Sequence, residues 1–221
     1  MTVSAMTVSA PTDDVQNSDT AEPIWTPDPD SVAAATITRF ADEVSAWTGH
    51  DTGSYAELWR WSVEHLEQFW AAVWEFFDIT ADGTPRAVLA DATMPGARWF
   101  PGSRLNYAEH ALRSGMEPGR ADTVAVTAID EDGATTTTTW AELRAQVAAF
   151  AGWLRAAGVQ PGDRVVGYLS NSTPTLVAFL ASASIGAVWA ACGPDYSAEG
   201  AAARFAQLEP AVLVAAAPSA E

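Results

Sequence analysis

The longest stretch of the chain without a charge runs from Val165 to Pro194, VVGYLSNSTPTLVAFLASASIGAVWAACGP, thirty residues between Arg164 and Asp195. Asn171, Ser172 and Pro174 interrupt it and leave Leu176–Cys192, 17 residues that still contain Ser182, Ser184 and Gly186. A membrane span needs about 20 unbroken apolar residues, so the run reads as the core of a soluble domain. VVGYLS is a short buried strand. A helix over 175–185 follows, with Thr173 as N-cap, Pro174 at the first helical position and Gly186 as its stop, and AVWAAC is the next strand. GPDYS is then a loop, Ser197 a second N-cap, AEGAAARFAQLE a helix stopped by Pro210, and AVLVAA a further strand. Strands without alternation, joined by helices, predict a parallel sheet covered on both faces with right-handed crossovers.

Just upstream the period changes. TVAVTAID is strand-like, EDGA a hairpin turn, and TTTTT a second strand of β-branched residues. Thr139 and Glu142 form a capping box, and Leu143, Val147, Phe150 and Leu154 place one apolar stripe on the helix it opens, which Gly158 ends. QPGDR is a turn, and the GDR at 162–164 opens the following strand.

The first half is helical. Ile37, Phe40, Val44 and Trp47 mark one amphipathic stretch. In SYAELWRWSVEHLEQFWAAVWEFF, Ser54 and Glu57 fit a second capping box, and Trp59, Val63, Leu66, Trp70, Val73 and Phe77 recur every three or four residues as one apolar face, expected to be core. A membrane-surface helix would carry Lys/Arg on its polar face, whereas Glu57, Glu64, Glu67 and Glu75 outnumber Arg60. MPGARWFPGSRLNYAEHALR reads as a surface segment pinned by Trp99 and Phe100, with a short helix from about Asn106. Residues 1–30 are polar and rich in Asp, Thr and Pro, and are expected to be a disordered tail. The organisation expected is therefore this tail, a helical region over 31–118, and an α/β domain over 119–221.

Composition narrows the function classes. The net charge is −17, from 28 acidic and 11 basic residues. That excludes an extended nucleic-acid or anionic-membrane surface. All the basic residues are Arg; the chain has no Lys. Cys192 is the single cysteine, so no disulfide framework or cysteine metal site is expected, and at the end of a buried strand it is a poor nucleophile. His50, His65 and His110 are too scattered to suggest a ligand set, and no metal site is expected. Arg98 and Arg104 are expected in salt bridges before anion binding. The N-terminus has no basic and apolar secretory signature. No nucleophile elbow, P-loop or dinucleotide fingerprint is present, and no catalytic residue is assigned. The two loops that follow apolar strands, SNSTP and CGPDYS, lead into helix N-termini, where a phosphate could be held.

From Trp140 to Val214 the order T-W-A-E-L, G-D-R-V, strand–turn–helix and G-A-V resembles the first part of the adenylate-forming acyl-CoA synthetase family. YAELWRWSVEHLEQFWAAVWEFF, MPGARWFPGSRLNYAEHAL and SIGAVWAACGPDYSAEGAAARFAQLEPAVLV are similar to its acetyl-CoA synthetase branch, and within it to members that activate acetoacetate. The resemblance spans about 32–215. His110 stands where that branch usually has Asn, and Gly193 where it usually has Ser. The resemblance implies an α/β fold: a helical N-terminal cap followed by the first, incomplete part of a parallel-sheet βαβ adenylating domain. It implies an enzyme that uses ATP, CoA and Mg²⁺ to activate acetoacetate or another short carboxylic acid, in the cytoplasm, with no nucleic-acid or membrane partner. It also implies that Gly193, Pro194, Asp195 and Tyr196 lie beside the CoA nucleotide; the bare residues read equally well as a tight turn needing Gly-Pro. The family's Pro-Lys phosphate loop and its second lysine have no counterpart in a chain without Lys. From the sequence none of these cofactors is demonstrably bound by this portion, and alone it is expected to be inactive. The alternative is a non-catalytic truncated relative acting as a binding or interaction module.

Overall fold

The computed structural model describes residues 23–216. Most of the expected disordered tail lies outside them. Residues 23–28 are exposed, and helix α1 (Pro29–Ala34) begins just before the tail's expected end, because the Asp28 side chain accepts from the Ser31 backbone N–H at 2.9 Å and caps it. The chain divides into two compact units, one up to Phe69 and one from Trp70 onward.

The first unit is helical: α1, α2 (Thr36–Thr48), α3 (Tyr55–Glu64) and the first turn of α4 (Leu66–Phe76). The Ser54–Glu57 capping box forms in both directions: the Glu57 N–H donates to the Ser54 hydroxyl at 3.2 Å, and the Ser54 N–H to the Glu57 carboxylate at 3.0 Å. Phe40, Val44, Leu58 and Trp61 are buried, and Phe69 meets Phe40 and Trp61 edge-on with ring centroids 6.1 and 6.0 Å apart. Thr52, fully buried, ties the loop after α2 back to it by donating to the Ala41 carbonyl at 2.8 Å.

Two expectations fail here. Ile37 and Trp47 are exposed, so only the middle of the first stripe is core. The aromatic stripe also points the wrong way: Trp59, Val63, Leu66, Trp70 and Phe77 are all exposed, and Val73 is half-buried. The chain leaves the helix at His65 (φ −125°, ψ 56°), which breaks the phase that the stripe was counted through. The buried positions of α3 are Leu58 and Trp61, on a neighbouring face.

The second unit holds the rest. Strands β1 (Leu89–Asp91) and β2 (Arg98–Trp99) pair antiparallel; Trp70 meets Trp99 at 5.8 Å and Trp74 meets Phe100 at 4.5 Å, the expected aromatic anchoring. Helix α5 (Tyr107–Arg113) starts after Asn106, followed by a 3-10 turn (Ser114–Met116). Asn106 joins this segment to the α/β core. Its side-chain oxygen caps α5, and its amide donates to the Ala183 carbonyl at 3.0 Å.

Strands β3 (Val124–Ile129) and β4 (Thr135–Thr139) form the expected antiparallel hairpin, and the Thr139–Glu142 box opens α6 (Trp140–Ala156). Strand β5 (Arg164–Tyr168), helix α7 (Thr173–Ser184), strand β6 (Val188–Cys192), helix α8 (Ala198–Ala206) and strand β7 (Val212–Ala215) follow. The three strands are parallel in the order β6-β5-β7. Leu143, Val147 and Leu154 of α6 and Val177, Leu180 and Ala181 of α7 pack with Val165 on one face; Val166, Cys192, Ala201 and Phe205 pack with α8 on the other. The chain moves one way along the sheet through α7 and the opposite way through α8. Crossovers of a single hand then require the helices on opposite faces, as found.

Three boundaries shift. The N-cap of α7 is Ser172, with Thr173 already helical and Pro174 in the first turn. Helix α8 ends at Ala206, short of Pro210, where Arg164 draws the Leu208 and Glu209 carbonyls out to its guanidinium at 2.7 and 2.8 Å. Burial on both faces holds for β5 alone: Val188 and Leu213 of the outer strands are exposed.

Candidate functional site

A parallel sheet binds ligands beyond the carboxyl ends of its strands, where neighbouring loops leave toward opposite faces. Here that point lies between β5 and β6: the loop after β5 turns to α7 on one face, and the loop after β6 turns to α8 on the other. The two loops are the SNSTP and CGPDYS segments, and the structure separates their chemistry.

The SNSTP loop borders a cleft of about 860 Å³ whose other wall is the β3–β4 hairpin, with Asp130, Glu131 and Asp132 at its tip. No Arg or His lines it. Three carboxylates facing the start of α7 oppose an anion, so the phosphate expectation is not supported at this loop.

The second loop differs. Gly193 to Tyr196 closes as a turn, with the Tyr196 N–H donating to the Gly193 carbonyl at 3.2 Å, and the Ser197 hydroxyl accepts from the Gly200 N–H at 3.1 Å to cap α8. The Tyr168 hydroxyl, at the end of β5, donates to the Tyr196 carbonyl at 2.6 Å, and so ties the two sides of the crevice together. The Arg204 guanidinium lies over the Tyr196 ring, 4.7 Å from its centroid. Helical side chains lean toward the N-terminus, which lets a residue two turns into α8 reach back to the loop.

Gly193 helps choose between the two readings of this segment. It is absent from the residues with left-handed φ, so the turn does not require glycine there on backbone grounds. A Cβ at Gly193 would meet only the Asp195 side chain, whose Oδ1 would lie 2.3 Å away. Gly167 is the contrast: a Cβ there would strike the Trp189 ring at 2.6 Å. Glycine at 167 is needed by the core, whereas glycine at 193 leaves bare backbone at the crevice.

The remaining candidates resolve plainly. Cys192 is buried, with Val166, Ala201 and Phe205 around it and no base among them. The His50 and His65 rings lie 4.8 Å apart at a 38° tilt, His110 bonds the Thr80 carbonyl through Nε2 at 2.9 Å, and among the described residues no group of three or more His, Cys, Asp and Glu is placed to hold a metal. Arg104 meets Asp82 through backbone hydrogen bonds of 2.9 Å in each direction. Arg98 lies opposite Asp91 in the β1–β2 register, and the Asp91 carboxyl lies below the usual range first through the Thr93 N–H and lastly through the Arg98 charge, but neither Arg98 nor Arg104 makes the expected salt bridge among the described residues. Among the described residues no helix is long and apolar enough to cross a membrane. Sequence reasoning missed Tyr168 and Arg204. The available signal was a lone tyrosine ending an aliphatic strand opposite Cys192.

Comparison with known proteins agrees with this architecture. Residues 55–111 match the family described as acetyl-coenzyme A synthetase N-terminus, and residues 117–221 match the AMP-binding enzyme family. An acetoacetyl-CoA synthetase structure from Streptomyces lividans superposes with a TM-score of 0.83 at 49% identity, over 88% of this chain and 30% of that one. The acetoacetyl-CoA synthetase of Macaca fascicularis is 40% identical over 190 residues, 84% of this chain and 28% of its own length. A malonamoyl-CoA synthetase of Penicillium aethiopicum is 38% identical over 177 residues, 79% of this chain and 24% of its own length. The chain thus spans less than a third of the relatives it matches. Helical region, parallel sheet and matched segments together make the chain similar to the N-terminal portion of acetoacetyl-CoA synthetases, with its second part matching the AMP-binding enzyme family.

Proposed function

We propose that this chain is the part of an AMP-forming acid–thiol ligase that walls the CoA nucleotide. The reaction is acetoacetate + ATP + CoA to acetoacetyl-CoA + AMP + diphosphate, with Mg²⁺ carried by the complete enzyme. Residues 31–118 serve as the helical N-terminal region and 119–221 as the first portion of the AMP-binding domain. The observation that carries the reading is the Gly193–Tyr196 loop at the crevice between β5 and β6, tied across it by the 2.6 Å Tyr168 hydrogen bond. Bare backbone at Gly193 suits close approach of a nucleotide, the Asp195 carboxylate can accept from a sugar hydroxyl or an amine, and the Arg204 guanidinium suits a phosphate.

The chain's residues bind and orient in this scheme and perform no bond-making step. Adenylyl transfer needs cations over the phosphates, and a chain without Lys has only arginines to offer. Acetoacetate follows from the relatives, among which the malonamoyl-CoA synthetase marks that similar sequences serve a different acid. A soluble cytoplasmic enzyme with no nucleic-acid or membrane partner fits the acidic surface.

Two measurements test the reading. The purified chain should give no acetoacetate-dependent ATP–diphosphate exchange; measurable turnover overturns that point. CoA should protect the Gly193–Tyr196 amides from exchange, and a CoA titration that leaves them unchanged overturns the wall assignment.

A further inference from the structure

We propose that Tyr168 and Arg204 are positioning residues that hold the Gly193–Tyr196 loop in its ligand-ready shape before any nucleotide arrives. The inference rests on the reading of this loop as a CoA wall, and names what prepares it. The two residues act on different parts of Tyr196. Tyr168 holds the backbone, donating to the Tyr196 carbonyl at 2.6 Å. Arg204 holds the side chain, its guanidinium 4.7 Å from the ring centroid. Backbone and ring fixed at the same residue leave the loop little freedom, and a loop ordered in advance does not lose that entropy on binding.

Each holder is anchored elsewhere. The Tyr168 ring packs against the cluster of Val166, Cys192, Ala201 and Phe205, and its backbone pairs with Cys192 in the β5–β6 register. Only its hydroxyl reaches the loop. Arg204 belongs to α8, whose Phe205 and Ala201 are buried in the same cluster. It is exposed, and among the described residues its guanidinium makes no ion pair or hydrogen bond. The guanidinium over Tyr196 is exposed and can also meet a phosphate. The ligand class this implies is a phosphorylated nucleoside, held by the loop on one side and the guanidinium on the other.

The test uses the 221-residue chain with CoA as the probe. Tyr168→Phe keeps the packed ring and removes only the hydroxyl. The Tyr196 amide should then exchange roughly five-fold faster, CoA affinity should fall by a similar factor, and the urea midpoint should stay within error. Arg204→Gln should weaken CoA binding while 3′-dephospho-CoA and CoA lose their difference in affinity; Arg204→Lys should restore part of the loss. Unchanged Tyr196 exchange in Tyr168→Phe overturns the positioning role. So does a lowered urea midpoint with faster exchange throughout the sheet, because the hydroxyl would then serve the fold. Failure of the underlying reading looks different: the parent loop shows no CoA protection, yet Tyr168→Phe still loosens Tyr196.

Discussion

Helices α3 and α6 begin in the same way and end in opposite places. Each is opened by a reciprocal capping box, Ser54 with Glu57 and Thr139 with Glu142. On α6 the apolar stripe counted from the sequence is the core: Leu143, Val147 and Leu154 are buried, and Phe150 is half-buried. On α3 the most conspicuous stripe, begun by Trp59 and Val63, faces outward, and the helix packs through Leu58 and Trp61. The difference lies in what surrounds each helix. Helix α6 packs into one cluster with Val165 and α7 through the face that carries Leu143, Val147 and Leu154. Helix α3 has apolar residues on more than one side, and periodicity cannot rank two apolar faces. A capping box reports where a helix starts; it says nothing of which way the helix turns.

The sharpest way to break this comparison is to truncate one residue from each stripe. Leu154, with 0% relative exposure, should lose about 3–4 kcal/mol on Leu154→Ala. Trp59, 56% exposed, should change stability by no more than about 0.5 kcal/mol on Trp59→Ala. Urea unfolding of the two variants beside the parent measures both; similar losses would mean that the outward stripe of α3 is covered in solution. Next in size is Gly167→Ala. The added methyl would meet the Trp189 ring at 2.6 Å, and displacing that ring should cost about 1–3 kcal/mol. Gly193→Ala has only the Asp195 side chain to move and should be near neutral for folding, which separates a glycine kept for packing from one kept for the crevice.

Much of the second unit was legible because its signals are local. The uncharged run resolves into β5, α7 and β6 as expected, since polar residues and Gly186 mark each change of element. Gly158 and Gly162 adopt left-handed φ of 88° where the chain was expected to stop and turn. What was missed depends on distant partners. Arg164 looked like part of a turn, yet it shortens α8 by binding carbonyls 44 and 45 residues away. The Gly193–Tyr196 loop was singled out by resemblance, while Tyr168 and Arg204, which contact it, lie 28 residues before and two turns after Tyr196. No spacing rule relates a strand end to the carbonyl of a later loop.

The smallest expected effects concern the caps themselves, the feature the two helices share. Thr139→Ala and Ser54→Ala should each cost about 1 kcal/mol. Near-equal losses would confirm that capping is independent of the face a helix buries. The α6 cap also carries a pH signature. The Glu142 carboxyl is held below the usual glutamate range, first by the Thr139 backbone N–H and then by the Thr139 hydroxyl, at 2.8 and 2.9 Å. A carboxyl whose pKa is lowered in the folded state favours folding above its unfolded pKa, about 4.3. That contribution is lost as pH falls from there through the depressed folded value. Stability of the parent should therefore drop more steeply across this acid window than that of Glu142→Gln, which keeps an acceptor and cannot titrate. Salt should shrink the difference little even though the group is exposed, because its cause is hydrogen bonding to a neighbour and not a long-range field. Parallel pH profiles for the two proteins would mean that the box formed by Thr139 and Glu142 is not maintained in solution.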